Sequence, residues 1–281
     1  MRKLAQYAMR GNKQATMVAV LFAIIPVLFW ISAALVALVI LRKGYRDGAQ
    51  VFMWSLLPAI AWWSNGDPTP ALTLIGAAGL ASVLRYSASW AYVLVASLVA
   101  AIVSMPILAS YLQDVMVAFA EAGIQLEAQQ KLPENVDKEL LQTFMEGVLG
   151  AVHMAILLAC VVLARWWQAA LFNPGGFQEE FHRLRLSNQL AVMVLIAVVA
   201  GFYLPTEYRP WVLLAAIPLL LSGVALIHHV VKTLQLGGQW LVLMYFGLIV
   251  FSPTTGALLV GLAFSDSMLN LRSRLAAIKN R

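Results

Sequence analysis

The stretch ARWWQAALFNPGGFQEEFHRLRL, residues 164–186, contains an apolar helix that ends abruptly and gives way to a charged segment. Trp166 and Trp167 precede the break, and tryptophan is enriched where its indole ring meets the boundary between membrane and water. The break consists of Asn173, Pro174, Gly175 and Gly176. Proline cannot continue helical hydrogen bonding, and glycine accepts the left-handed turn that often ends a helix. Together these residues predict an anchor at a membrane interface.

The composition of the whole chain agrees with a membrane setting. Of its 281 residues, 62% are hydrophobic and 11% are charged, whereas about a quarter of the residues in a soluble domain are charged. Apolar runs lie near residues 14–41, 49–64, 70–84, 88–112, 146–171, 188–204, 210–231 and 239–264. Several of them are long enough to span a bilayer. We therefore expect an all-α, polytopic transmembrane helical bundle that occupies residues 1–281 as a single domain surrounded by the lipid bilayer.

The first and last apolar runs carry residues that interrupt helices. Run 14–41 has Pro26 near its middle, and run 239–264 contains the sequence SPTTG from Ser252 to Gly256. Because proline removes a helical hydrogen-bond donor and clashes with the preceding turn, we expect both runs to be broken there and to fold back. Two alternatives remain open: ten short crossings, or eight elements of which two are re-entrant.

The basic residues predict the orientation of the bundle. With both runs folded back, every Lys and Arg falls on one side of the membrane except Lys131, Lys138 and Arg209. Cytoplasmic loops of membrane proteins carry an excess of Lys and Arg. We therefore expect both termini and the break at residues 173–176 to lie in the cytoplasm, and the protein to reside in the bacterial cytoplasmic (inner) membrane.

Two polar segments between the apolar runs have amphipathic patterns. Residues 113–146 hold seven acidic residues and two lysines. They predict an extracytoplasmic loop of two short helices, which is either a gate over a cavity or a solvated connector. Residues 173–187 place Phe177, Phe181 and Leu184 on one helical face, which predicts a cytoplasmic amphipathic helix on the membrane surface or docked on the bundle.

Polar residues near the outer ends of the predicted spans are the candidate ligand-binding groups. Asn65 and Asp67 lie between two apolar runs, and Tyr203, Glu207 and Arg209 form a second group on the same predicted side. Polar side chains at membrane depth are costly and often functional. We expect them to line an outward-facing pocket for a small-molecule ligand. The alternative is that they are ordinary turn and interface residues.

The sequence gives no indication of catalysis or of a metal centre. It contains no zinc-protease, serine-hydrolase, P-loop or dinucleotide-binding motif, so we expect no enzyme, no cofactor and no nucleic-acid partner. The single cysteine, Cys160, excludes a disulfide within the chain. Glu146, His153 and Cys160 recur at seven-residue spacing, but a metal would need further ligands from elsewhere. His228 and His229 point about 100° apart on a helix and cannot chelate one ion together.

Small residues repeat along the first apolar run. Ala15, Ala19 and Ala23 are spaced four residues apart and therefore share one helical face. Such faces let helices approach closely within lipid. This face either packs inside the bundle or docks a membrane protein partner.

Three segments carry a resemblance to a known family. They are RWWQAALFNPGGFQEEFHRLRL (residues 165–186), GLAFSDSMLNLRSRL (residues 261–275) and LFAIIPVLFWISAALVALVILRKGYRDGA (residues 21–49). They resemble the YybS-like family of predicted bacterial membrane proteins of unknown function, a family grouped with the S components of energy-coupling-factor transporters. The resemblance implies a helical bundle that binds a small molecule, with Ala15, Ala19 and Ala23 as the face that engages a coupling subunit.

Two functions follow from these observations. The first is a membrane component that binds or transports a small solute, with transport dependent on a partner. The second is a structural or regulatory membrane protein that acts through protein partners and has no ligand cavity.

Overall fold

The computed structural model describes residues 1–114, 117–118, 121–122, 138–205 and 210–279. The helices of this part of the chain are α1 (Arg2–Ala8), α2 (Asn12–Ile24), α3 (Phe29–Lys43), α4 (Tyr45–Ser64), α5 (Thr69–Ser87), α6 (Trp90–Tyr111), α7 (Lys138–Phe172), α8 (Gly176–Arg183), α9 (Asn188–Tyr203), α10 (Pro210–Thr233), α11 (Gln239–Val250), α12 (Ser252–Leu269) and α13 (Leu271–Lys279). These described residues contain no strand. The predicted all-α fold is confirmed.

The chain forms two compact units where the sequence predicts a single domain. The first comprises Met1–Pro174 and Leu204–Leu214, and the second comprises Gly175–Tyr203 and Ala215–Arg281. The boundary after Pro174 falls inside the predicted break. Gly175 has a φ of 89° there, a left-handed conformation that glycine adopts without steric cost.

Three described helices are long and apolar enough to cross a membrane, namely Trp90–Tyr111, Thr143–Phe172 and Trp211–Thr233. Gly176–Arg183 and Asn188–Tyr203, which are bent by 64° relative to each other, add a fourth if they form one broken span. These helices fit a membrane protein. The described residues thus supply three or four candidate spans, fewer than the eight or ten elements predicted from the apolar runs.

Short apolar helices account for part of the difference in the number of spans. α3 has 15 residues and α11 has 12. At about 1.5 Å per residue they measure about 22 and 18 Å, less than the roughly 30 Å of a bilayer's hydrocarbon core. An apolar run in the sequence does not distinguish a helix that crosses the bilayer from one that is buried in protein.

α3 is the centre of the first unit. Every residue from Ile31 to Leu41 is buried, because α2, α4, α5 and α7 all pack against this helix. A helix that is hydrophobic on all sides is stable only when protein or lipid surrounds it. Close packing is visible at Gly48 of α4, where an added Cβ would overlap the side chain of Ile40.

The ends of the first apolar run meet on one side of the unit. α2 ends at Ile24 and α3 begins at Phe29, so Pro26 lies between the two helices. At the other end of the pair, the Lys43 ammonium donates a hydrogen bond of 2.9 Å to the side-chain oxygen of Asn12. The chain therefore enters and leaves this helical pair at the same end.

Basic and amide side chains satisfy the carbonyl groups at the C-terminal end of α3. The Arg85 guanidinium donates to the carbonyl oxygens of Ile40 (3.2 Å) and Leu41 (2.6 Å). The Gln168 amide donates to the same Leu41 oxygen at 3.1 Å. The last carbonyls of a helix have no partner within it, and a cation there also interacts favourably with the helix dipole. This end of the first unit is therefore fixed by polar contacts.

The second unit places an amphipathic helix on a small apolar core. The rings of Phe177 and Phe181 in α8 stack with centroids 6.0 Å apart, and Phe181 packs against buried Val224, Met244 and Leu259. The observed helix, Gly176–Arg183, lies within the predicted segment 173–187. Phe181 therefore docks the helix on this unit, while the apolar face as a whole is only partly buried.

α10 and α12 approach each other closely within the second unit. A Cβ added to Gly223 of α10 would overlap the backbone carbonyl oxygen of Leu259 in α12. Because glycine has no Cβ, the backbone of α10 can approach the backbone of α12 this closely. The sequence SPTTG lies at the start of α12, immediately after α11 ends at Val250.

Candidate functional site

A cavity lies at the end of the first unit where α3 begins, opposite the basic end at Lys43. Its volume is about 360 Å³, and it is lined by Pro26, Val27, Phe29, Trp30, Trp62, Asp67, Pro70 and Ile156. Three of these residues are aromatic, and Asp67 supplies the only charge. The cavity thus combines an apolar wall with one carboxylate, the arrangement typical of small-molecule sites.

Helix ends hold the wall of this cavity in place. The indole N–H of Trp62 donates to the carbonyl oxygen of Ala23 at 3.1 Å, which ties the end of α4 to the end of α2. The ring of Trp63 meets the ring of Tyr111 edge to face at a centroid distance of 6.2 Å. The ends of α2, α4 and α6 therefore meet around the cavity end of the unit.

The two residues predicted at this mouth have different environments. Asp67 lines the cavity, and its Oδ1 accepts a hydrogen bond of 3.0 Å from the backbone N–H of Thr69 at the start of α5. Asn65 is exposed, and its side-chain amide donates to the carbonyl oxygen of Ala61 at 2.7 Å. Asp67 is therefore part of the cavity wall, whereas Asn65 ends α4 through a local bond.

Val27 has a backbone conformation that is unusual for its residue type. Its φ is 67°, in the left-handed region that β-branched side chains rarely adopt. The residue lines the cavity and its side chain is largely exposed. Backbone strain of this kind tends to occur at functional positions.

A second cavity, of about 330 Å³, lies between the end of α6 and the first part of α7. It is lined by Met105, Pro106, Ala109, Ser110, Gln113, Val117 and Glu146. Gln113, Val117 and Glu146 belong to the segment 113–146 that the sequence predicts as an acidic loop. Residues 123–137 of that loop lie outside the described residues, so its role as a gate stays a prediction.

The second predicted group of ligand residues is described only in part. Tyr203 ends α9, with 87% of its surface exposed. Glu207 and Arg209 lie outside the described residues. The predicted combination of this group with Asn65 and Asp67 stays a prediction.

The interface anchor requires one correction. Trp166 is 42% exposed, so its place at a membrane boundary stays a prediction, but Trp167 is fully buried. The indole N–H of Trp167 has no hydrogen-bond partner among the described residues. Successive residues of a helix point about 100° apart, so one of two adjacent tryptophans faces the protein. Trp167 is a core residue of the first unit.

The break after these tryptophans has the predicted form. Asn173 donates its backbone N–H to the carbonyl oxygen of Ala169 at 2.8 Å, which closes the last turn of α7. Pro174, Gly175 and Gly176 then lead into α8, with Gly175 in the left-handed conformation. The sequence thus located this helix end correctly.

The alanine face of α2 is covered by the chain itself. Ala15 and Ala19 have no exposed surface, and Ala23 is 2% exposed. α2 packs against α3 and α4, so these small side chains allow close approach within the first unit. A partner subunit would reach this face only if those helices moved away.

The structure reveals a buried ion pair in the second unit that the sequence patterns did not single out. The Arg272 guanidinium lies 2.9 Å from the Asp266 carboxylate, and neither side chain is more than 9% exposed. Asn270, with a φ of 51°, turns the chain between them. Burial lowers the pKa of Arg272, while the negative charge of Asp266 opposes that change. Asp266 lies two residues beyond the apolar run 239–264, and an acid so close to an apolar run was the available signal.

Arg272 also binds the segment that follows α8. Its guanidinium donates to the carbonyl oxygens of His182 (2.5 Å) and Leu184 (2.6 Å). A third contact reaches the carbonyl oxygen of Ser222 at 3.4 Å. One buried cation therefore connects α13, α8 and α10 within the second unit.

The candidate metal ligands of α7 do not converge in the structure. His153 is 2% exposed, and neither ring nitrogen has a partner among the described residues. The Cys160 thiol donates to the carbonyl oxygen of Trp30 at 3.3 Å. Across the part of the chain that the structure describes, no group of three or more His, Cys, Asp or Glu side chains could hold a metal ion.

Comparison with family models, curated proteins and solved structures finds no match to this chain.

Proposed function

We propose that this protein is a multi-pass protein of the bacterial inner membrane that binds a small solute in the cavity beside Asp67. The solute is expected to carry a positively charged group on a compact apolar body. The observation that carries the proposal is a single carboxylate in a cavity walled by Phe29, Trp30 and Trp62. A carboxylate attracts a cation, and aromatic faces add cation–π attraction of about 0.5–2 kcal/mol.

The volume of the cavity sets the size of the ligand. At about 360 Å³ it lies near the lower end of the range of roughly 300–1,000 Å³ that small-molecule sites occupy. A small amine or quaternary ammonium compound matches both the volume and the charge. An anionic metabolite is disfavoured because Asp67 would repel it.

The distribution of basic residues in the first unit supports an outward-facing cavity. Lys43, Arg85 and Gln168 cross-link the opposite end of α3. Because Lys and Arg are enriched on the cytoplasmic side, we infer that the basic end faces the cytoplasm and the Asp67 cavity faces outward. Transport would require a partner that supplies energy.

A structural or regulatory role is the second candidate, and the packing of α3 favours it. The centre of the first unit is filled by eleven consecutive buried residues, Ile31–Leu41. Such a bundle has no central passage at that level. Under this alternative the Asp67 cavity would be a surface depression without a ligand.

Binding of a defined probe distinguishes the two candidates. The purified full-length protein is titrated with tetraethylammonium by calorimetry, and native mass spectrometry reports any small molecule that is retained on purification. The variants are Asp67→Asn, which keeps the shape of the side chain, and Asp114→Asn, which removes an exposed carboxylate elsewhere in the first unit.

Solute binding predicts that Asp67→Asn weakens tetraethylammonium binding at least about tenfold, equivalent to 1.4 kcal/mol. Asp114→Asn should bind the probe like the wild type. If neither a retained molecule nor probe binding is detected in the wild type, the structural role takes the place of the binding role.

A further inference from the structure

The second unit contains a cavity of its own, of about 400 Å³. It lies between α8, the last turn of α10 and the start of α11. Its polar lining consists of Gln178, His182, His228, Lys232 and Gln235, and Gly238 forms part of the wall. Apolar side chains complete the cavity, and among the residues that the structure describes no carboxylate lines it. The Lys232 ammonium is a hydrogen-bond donor only, and each glutamine amide and imidazole of the lining can also donate.

The imidazole groups at this cavity differ in what they bind. His228 Nε2 lies 2.9 Å from the Tyr245 hydroxyl, and His229 Nε2 lies 3.3 Å from the Thr233 hydroxyl. His182 makes no side-chain hydrogen bond among the described residues, and its ring lies 6.5 Å from that of His228. The His182 ring is thus available to a ligand beside the Lys232 ammonium.

The buried ion pair holds the backbone at His182 in position. Arg272 binds the carbonyl oxygens of His182 and Leu184 and is itself paired with Asp266. Phe181, next to His182, packs on the apolar core and against the ring of His228 at 5.3 Å. A binding site needs its groups fixed by surrounding contacts, and α8 is fixed on both sides of His182.

The place of Lys232 at the end of a candidate membrane span indicates how deep this cavity would lie in the membrane. Lys232 lies in the last turn of the candidate span Trp211–Thr233. The end of a span lies at the boundary between hydrocarbon and water, where phospholipid headgroups are found. Basic side chains at this depth interact with anionic headgroups.

We propose that this cavity binds a phosphate group, presented either by an anionic phospholipid headgroup or by a soluble phosphate compound. Phosphate offers at least two unesterified oxygens with a full negative charge. Lys232 provides the opposite charge, and His182, Gln178 and Gln235 provide N–H donors from two different elements. The site belongs to the second unit and is independent of the solute cavity at Asp67.

Gly238 allows a matched test of this site. It is the N-cap residue of α11, and a Cβ at this position meets no atom within 4 Å. Asp and Asn are both favoured N-cap residues, so Gly238→Asp and Gly238→Asn should fold equally well. Only the first of them places a negative charge in the wall of the cavity. Lys232→Gln removes the ammonium, and Arg274→Gln removes an exposed cation elsewhere in the unit.

The full-length protein is tested with two probes. Inorganic phosphate is titrated against sodium chloride at equal ionic strength, and thermal unfolding in detergent reports binding. The protein is also reconstituted into vesicles of phosphatidylcholine alone or of phosphatidylcholine with phosphatidylglycerol, and native mass spectrometry of the extracted protein reports retained lipid. If inorganic phosphate stabilises the protein and phosphatidylglycerol is not retained, the ligand is a soluble phosphate compound. If phosphatidylglycerol is selectively retained, the ligand is a phospholipid headgroup.

The proposal expects Gly238→Asp and Lys232→Gln to weaken binding of the effective probe at least about tenfold. Gly238→Asn and Arg274→Gln should bind it like the wild type. Absence of binding to both probes overturns the proposal. Equal loss in Arg274→Gln and Lys232→Gln, or equal binding by the Asp and Asn variants of Gly238, also overturns it, because the attraction would then be non-specific.

Discussion

The two units of this protein bury different kinds of side chain. The core of the first is α3, in which Ser32 is the one polar residue among eleven buried ones. The second buries a charged pair, Asp266 and Arg272, together with the carbonyl groups that Arg272 binds. Truncating an apolar core residue lowers the free energy of unfolding in proportion to the volume removed. Removing one partner of a buried ion pair lowers it by a large amount, because the other charge stays buried without compensation. The units should therefore respond differently to substitution.

The largest effect is expected from Arg272→Met. This change leaves the Asp266 carboxylate buried and unpaired, and we expect the free energy of unfolding to fall by about 3–5 kcal/mol. Hydrogen exchange over residues 239–269 in detergent would report the loss within the second unit. Arg274→Met, which removes an exposed cation two residues away, is the control. Equal exchange in the two variants would show that the buried pair does not hold this unit together.

Leu38→Ala tests the apolar core of the first unit. Leu38 has no exposed surface, so the truncation should lower the free energy of unfolding by about 2–5 kcal/mol through lost contacts and a cavity. Leu57→Ala, at a position that is 58% exposed, should have a much smaller effect. Both are measured by thermal unfolding in detergent. If the two substitutions cost the same, α3 is not the buried centre described above.

Phe181→Asp tests whether α8 is docked on the second unit. The change removes ring contacts with the core around Met244 and places a carboxylate there, and we expect a loss of about 2–3 kcal/mol. Phe181→Leu keeps an apolar side chain and should lose less. Thermal unfolding measures both. Unchanged stability of the Asp variant would mean that the helix is a solvated segment.

Trp62→Phe has the smallest expected effect on stability. It removes the hydrogen bond to Ala23 but keeps an aromatic ring at the cavity, which should lower the free energy of unfolding by about 1 kcal/mol. Trp54→Phe, at an exposed position, is the matched control. Binding of tetraethylammonium gives a second measurement. Without the hydrogen bond to Ala23 the aromatic ring is no longer held in place, so the variant should bind the probe more weakly than the wild type. Unchanged binding of tetraethylammonium would show that the Trp62 ring does not contribute to the binding site.

Local sequence signals predicted much of the fold. Proline and glycine located the helix end at residues 173–176, and the spacing of Phe177 and Phe181 identified the amphipathic helix that follows. These features depend on neighbouring residues alone. The apolar runs also identified where helices lie, as α3 and α6 show.

The features that could not be predicted from the sequence depend on contacts between residues that are distant along the chain or separated by a turn. Trp166 and Trp167 are equivalent by sequence pattern, yet only Trp167 is buried. Burial depends on which side of the helix packs against other helices, and the sequence pattern does not show this. Asp266 and Arg272 are six residues apart, a spacing that does not match one helical face, and they pair because Asn270 turns the chain. Asp67 was identified as a polar residue near the outer end of a predicted span, but its aromatic surroundings come from α3 and α4.

Cysteine labelling in intact cells tests most directly the claim that the Asp67 cavity faces outward. Asn65→Cys places an exposed thiol beside Asp67, and Tyr45→Cys places one at the basic end, where Tyr45 is 65% exposed. The native Cys160 is fully buried and gives a low background. We predict that a membrane-impermeant maleimide labels Asn65→Cys in intact cells and labels Tyr45→Cys only after the membrane is disrupted. Labelling of Tyr45→Cys in intact cells, with protection of Asn65→Cys, would contradict the account.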